Sequence, residues 1–204
     1  MNVIIIDYGM GNLHSIRRAL EECGANAVIA SNPGDLRNAS QVVLPGVGAF
    51  ADAMHNLNTQ GWIPAIKQTV DEGVPLLGIC LGMQLLADWG DEGGGSPGLG
   101  FIPGEVIKFQ LEDYALRIPH VGWNEIEINR EHQLLCGIAN RTDFYFVHSY
   151  HFVAREEKNV LTTTSYGIEF VSAVVNKNVI GVQFHPEKSQ RAGFAFIKNF
   201  LQTI

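Results

Sequence analysis

The 204-residue sequence contains no C-x-x-C pair; its three cysteines, Cys23, Cys80 and Cys136, are odd in number and far apart. That spacing excludes a disulfide framework and a structural zinc site as organising devices. It leaves a cysteine free for chemistry. Runs of Lys and Arg are also missing, and the net charge is −7. Such a balance argues against a general nucleic-acid or anionic-membrane role. No apolar run reaches the length of a membrane span. The apolar stretch at residues 3–6 is too short, and lacks the basic flank, for a signal peptide. A cytoplasmic protein is therefore expected. Repeats, low-complexity tracts and linkers are absent too, so one domain over residues 1–204 is predicted.

What is present is an alternation. Val3-Ile4-Ile5-Ile6 is a β-branched run suited to a strand buried on both faces of a parallel sheet. Leu13, Ile16, Arg17 and Leu20 follow at helical spacing, and Gly24 is placed to stop that helix. Strands are predicted at 27–30, 41–44 and 74–79, and helices near 51–56, 62–72 and 81–89. The glycine-dense stretch 90–100 reads as a surface loop. Beyond Phe101 the pattern becomes β-rich, at 105–109, 124–128, 143–147, 160–164, 170–176 and 179–184; helical spacing returns at 193–201. This order implies an α/β fold: a doubly wound, mixed but mainly parallel sheet flanked by helices, with β-rich additions in the second half.

Gly78-Ile79-Cys80-Leu81-Gly82 lies between a predicted buried strand and a predicted helix. That is the form of a nucleophile elbow with Cys in place of Ser. A buried structural cysteine is the ordinary alternative. Cys23, late in a helix, and Cys136, after two leucines, lack the elbow context and read as packing residues. A catalytic thiol needs a base within reach. His185 ends the last predicted strand, where sites of parallel sheets lie, and His185-Pro186-Glu187 is predicted to be extended, placing Glu187 on the same side as His185 to orient it. His120 and His148 lie in suggestive segments without an adjacent carboxylate. His14, His55, His132 and His151 read as surface or partly buried positions. An oxyanion site needs backbone donors. The Leu81 amide and the glycine-rich Pro45-Gly46-Val47-Gly48 turn are candidates, though the latter also suits a plain strand-to-helix turn. Gly9-Met10-Gly11 after the first strand suggests dinucleotide binding, but His14 stands where that fingerprint needs a small residue.

Gly78-Ile79-Cys80-Leu81-Gly82-Met83-Gln84, with His185-Pro186-Glu187 about a hundred residues on, resembles the class I (triad) glutamine amidotransferases. The segments at 7–13, 44–50, 119–124, 145–150 and 183–189 are similar to the branch formed by the glutaminase subunits of imidazole glycerol phosphate synthases. The resemblance spans residues 4 to about 201. It implies that Cys80, His185 and Glu187 form the triad, and that Gly48, Leu81 and the peptide around Val47 supply the oxyanion site. It further implies that Gly46, Gln84, Ser149 and Tyr150 bind glutamine. The implied partner is a (β/α)8 cyclase subunit, forming a heterodimer that receives ammonia through a tunnel. Asn12, Trp123, Tyr145 and Lys188 match positions at that interface, with core packing the alternative for the two aromatics. No metal or organic cofactor is implied. Amidotransferases of other pathways would share the half-reaction, and a non-enzymatic subunit would keep these residues for packing alone.

Overall fold

The computed structural model describes residues 2–111 and 116–203. In the first half, β1 (Asn2–Ile6), β2 (Asn26–Ala30), β3 (Gln41–Leu44) and β4 (Leu76–Ile79) alternate with α1 (Leu13–Glu22), α2 (Phe50–Thr59) and α3 (Trp62–Asp71). Strand β4 runs directly into the one-turn helix α4 (Leu81–Gln84). Then come β5 (Trp89–Gly90), β6 (Ser96–Pro97), β7 (Gly104–Lys108), β8 (His120–Glu125), β9 (Glu127–Ile128) and β10 (Asp143–His148). The series closes with β11 (Tyr150–Ala154), β12 (Val160–Tyr166), β13 (Ile168–Asn176), β14 (Val179–Val182) and α5 (Gln190–Leu201).

Strands β2, β1, β3, β4 and β14 lie side by side and parallel. Antiparallel β13 then leads on through β11, β7, β5 and β6, with β12 and β9 branching from it. Strands β8 and β10 form a separate antiparallel pair. The period of two along β1 explains the layering. Val3 and Ile5 face the core under α1 and α5, where Leu20, Phe196 and Phe200 are buried. Ile4 and Ile6 face the opposite core, under α2, α3 and α4, with Phe50, Trp62 and Leu81. Both faces of β1, β3, β4 and β14 are thus covered, which is why their sequences read as mainly apolar runs, whereas β2 at the edge exposes Val28. Among the described residues no helix is long and apolar enough to cross a membrane.

Three sequence readings change. The helix predicted over 81–89 stops at Gln84, because later carbonyls are taken by another segment. Leu85 O accepts from Leu99 N, Leu86 O from Phe101 N and Ile102 N, and Ala87 O from Gly100 N. The stretch 90–100 is likewise no simple surface loop: it carries β5, β6 and Glu92, which reaches the cavity described below. Strand β11 was not anticipated; alternation is broken at Tyr150-His151-Phe152, where two successive residues, His151 and Phe152, are buried.

Candidate active site

The pairing of β14 with β4 sets Val182 opposite Ile79, so both strands end at the same level. Cys80 follows one and His185 lies three residues beyond the other. The Cys80 amide closes the corner by donating to Val182 O at 2.8 Å. Cys80 has φ 55° and ψ −113°, a left-handed conformation unusual for a residue with a side chain. Such strain costs on the order of 1–3 kcal/mol and is held only where surrounding structure enforces it. Here the enforcement comes from glycines on each side. A Cβ on Gly82 would collide with the Leu44 carbonyl, and one on Gly78 would lie 2.5 Å from the Gly82 carbonyl oxygen. Helix α4 therefore docks backbone to backbone on β3 and β4.

The Cys80 thiol is nearly buried and opens on a cavity of about 230 Å³. Its walls include Val47, Gly48, Leu81, Gln84, Glu92, Ser149, Tyr150 and His185. This is smaller than the roughly 300–1,000 Å³ of clefts for drug-sized ligands, a scale that suits a single amino acid. His185 Nδ1 lies 2.8 Å from Glu187 Oε1, with both side chains almost fully buried. Glu187 gets there by a tight 3-10 turn over Pro186–Lys188, not by the extended segment predicted from sequence. Proline pre-sets the φ of that turn. Burial disfavours a charged His185, but the Cys80 sulfur and the Glu187 carboxylate outweigh it and raise the pKa to about 9. The other ring nitrogen, Nε2, is buried without a protein hydrogen-bond partner and lies at the cavity shared with Cys80.

Val47 and Gly48 are exposed on the rim, and Gly48 has φ 111°. The turn is braced from the loop after β1. Tyr8, fully buried, donates its hydroxyl to Pro45 O at 2.8 Å, and Met10 Cε lies 2.6 Å from where a Gly48 Cβ would stand. Gly46, expected at the substrate, does not line the cavity. It is buried, and a Cβ there would approach Tyr8 Oη, Leu81 Cβ and Gly82 N, so its requirement is clearance for α4. Gln84 lines the cavity and donates Nε2 to Tyr150 O at 3.0 Å. Glu92, missed by the sequence reading, accepts from the first amide of α2, Phe50 N, at 2.8 Å, which brings a carboxylate to the cavity wall.

Trp123, Tyr145 and Lys188 form one surface group. The two rings meet edge-on at 6.0 Å, and Lys188 Nζ lies 5.6 Å from the Tyr145 ring centroid. Trp123 is 48% exposed and neighbouring Val121 55%, so core packing does not account for them. Asn12 is exposed at the start of α1 and makes no side-chain capping bond. His151, read from the sequence as a surface or partly buried position, is buried beside Phe109. His120 and His148 are buried as well, and burial depresses their pKa values to about 4 and about 3.

A cysteine at a strained strand–helix corner, facing a histidine held by a carboxylate, defines a cysteine-dependent acyl-transfer arrangement. The model of the glutamine amidotransferase class-I family matches residues 4–204, and the chain belongs to that family. It is 50% identical over 198 residues to the imidazole glycerol phosphate synthase subunit HisH of Moorella thermoacetica, covering 97% of this chain and 93% of that one. The HisH 1 subunit of Campylobacter jejuni (strain RM1221) is 48% identical, with 98% and 99% covered. Among solved structures, PurLQS from Thermotoga maritima shares the fold, with a TM-score of 0.77 at 16% identity over 98% of this chain and 97% of that one.

Proposed function

We propose that this chain is the glutaminase subunit of an imidazole glycerol phosphate synthase. It hydrolyses glutamine to glutamate and ammonia and passes the ammonia to a (β/α)8 cyclase subunit in histidine biosynthesis. The observation that carries the chemistry is the convergence of Cys80 and the His185–Glu187 pair on one amino-acid-sized cavity. Near-50% identity to HisH subunits over almost the whole chain supports the pathway.

In this reading His185, whose raised pKa favours the charged ring, already holds the Cys80 proton on Nε2 as Cys80 Sγ attacks the side-chain amide carbon of glutamine. The C–N bond breaks, the nitrogen leaves as ammonia with that proton, and a γ-glutamyl thioester remains. Water then attacks the thioester, giving its proton to His185, which returns one to the departing sulfur as glutamate forms. Glu187 fixes the imidazole through Nδ1 and stabilises its charged form. The Gly48 and Leu81 amides, with the peptide around Val47, stabilise the oxyanion. Gln84, Glu92, Ser149 and Tyr150 hold the amino-acid end. The Trp123–Tyr145–Lys188 group, with Asn12, forms the face for the cyclase. Delivery within a complex suits the chemistry, because ammonia free in neutral water is mostly ammonium, which is no nucleophile.

The test is glutamate release by the wild-type chain and Cys80→Ala, each alone and with a cyclase subunit carrying its nucleotide ligand. Turnover dependent on both Cys80 and the cyclase is expected. Wild-type turnover indifferent to the cyclase would overturn the pathway, and Cys80-independent turnover would overturn the triad.

A further inference from the structure

Gln183 lies outside the triad yet reaches the reacting sulfur. The β4–β14 register that aligns Ile79 with Val182 makes Cys80 and Gln183 neighbours as the two strands end. Gln183 is fully buried. Its Nε2 is 3.7 Å from Cys80 Sγ, and its Oε1 is 2.9 Å from Gln84 Nε2.

A side-chain amide can be turned either way, and here a backbone carbonyl decides which. Tyr150 O can only accept. It lies 3.0 Å from Gln84 Nε2 and 2.8 Å from His148 Nδ1. Gln84 must therefore present its NH2 group on this side, giving one N–H to Tyr150 and the other to Gln183 Oε1. Gln183 is left with its own NH2 directed at the sulfur. Turning it over would bring two NH2 groups face to face in a buried site, leaving donors unpaired. The far side of the carbonyl is equally determined. His148 donates from Nδ1, so its Nε2 accepts from His120 Nδ1 at 3.1 Å. His120 Nε2 in turn accepts from Asn124 Nδ2 at 3.3 Å. Burial keeps both rings neutral, as this single polarity requires. Two chains of hydrogen bonds thus converge on the Tyr150 carbonyl and hold it, and one of them ends at the nucleophile.

We infer that Gln183 is a further catalytic residue, donating an N–H to Cys80 Sγ, and that Gln84, anchored on the Tyr150 carbonyl, positions it. The inference rests on the reading of Cys80 as the nucleophile. A donor aimed at sulfur strengthens its bond when the sulfur carries charge, and the thiolate is the attacking form. Loss of a hydrogen bond to a charged group corresponds to a rate decrease of roughly tenfold to a hundredfold. Gln183 is not among the cavity-lining residues, so substrate binding should change little.

The test is alkylation of the full chain by iodoacetamide at fixed pH, followed by peptide mass spectrometry, for wild type, Gln183→Met and Gln183→Glu. Cys136 is exposed on the same chain and serves as the internal reference. The ratio of Cys80 to Cys136 labelling should fall in the order wild type, Met, Glu, with the Met variant down by roughly tenfold or more. In the cyclase complex, kcat for glutamine should fall while KM stays within about twofold. If Gln183→Met does not fold, the near-isosteric Gln183→Glu decides by the same ratio. A wild-type ratio in a folded variant overturns the inference and leaves the nucleophile reading standing. Failure of Cys80 to label in the wild type would instead sink that reading.

Discussion

His185 keeps its proton to about pH 9 in the folded chain, whereas an unfolded imidazole releases it near 6.5. Its contribution to stability is therefore complete below pH 6.5 and is lost as the pH rises through about 9. His120 and His148 behave oppositely, with folded pKa values of about 4 and about 3. Their contributions are complete above pH 6.5 and are lost as the pH falls toward those values. At about 1.4 kcal/mol per pKa unit, each of the three groups accounts for a few kcal/mol. Urea unfolding across pH should give a maximum near 6.5. Glu187→Gln should flatten the alkaline limb and His120→Asn the acid one; limbs unchanged in both variants would refute these assignments. The proposed triad was legible because an elbow motif and a His-Pro-Glu run each sit at a strand end. Glu92 and Gln183 were not. Glu92 lies in a glycine-rich stretch with no periodicity, and an isolated glutamine carries no mark of the carbonyl that turns it.

At the level of elements, α4 owes its position to missing side chains. Gly82→Ala should drive a Cβ into the Leu44 carbonyl and separate the helix from β3. Overpacking of this kind costs about 1–3 kcal/mol, so the urea midpoint should drop and Cys80 labelling should change with it. Gly24→Ala makes a useful contrast: its φ of 94° brings backbone strain, but nothing lies within 4 Å. A Gly82 variant no less stable than the Gly24 variant would contradict the close-docking argument. The alternation of strands and helices in the first half was readable because β1, β3 and β4 are buried on both faces. The true end of α4 was not, since the carbonyls beyond it, from Leu85 to Asp88, are claimed by amides from residues 98–102. Competition between distant segments leaves no local periodic signal.

For the molecule as a whole, the exposed aromatic group on the β8–β10 pair and the cavity share a strand, since Tyr145 and Val147 both belong to β10. Trp123→Ala should preserve the fold and weaken association with the cyclase by roughly tenfold to thirtyfold, as truncation of an aromatic anchor does. Titration calorimetry would measure it, and an unchanged affinity would remove Trp123 from the proposed interface. The parallel sheet also carries a consequence for how the protein is made. Strand β14, the last of the described strands in the chain, is inserted between β4 and β13 at the middle of the sheet. Synthesis proceeds from the N-terminus, so Cys80 and its elbow emerge long before their neighbours Gln183 and His185. Until residues 179–182 leave the ribosome, the β4 edge stays open to strays, and the nascent thiol has no base beside it.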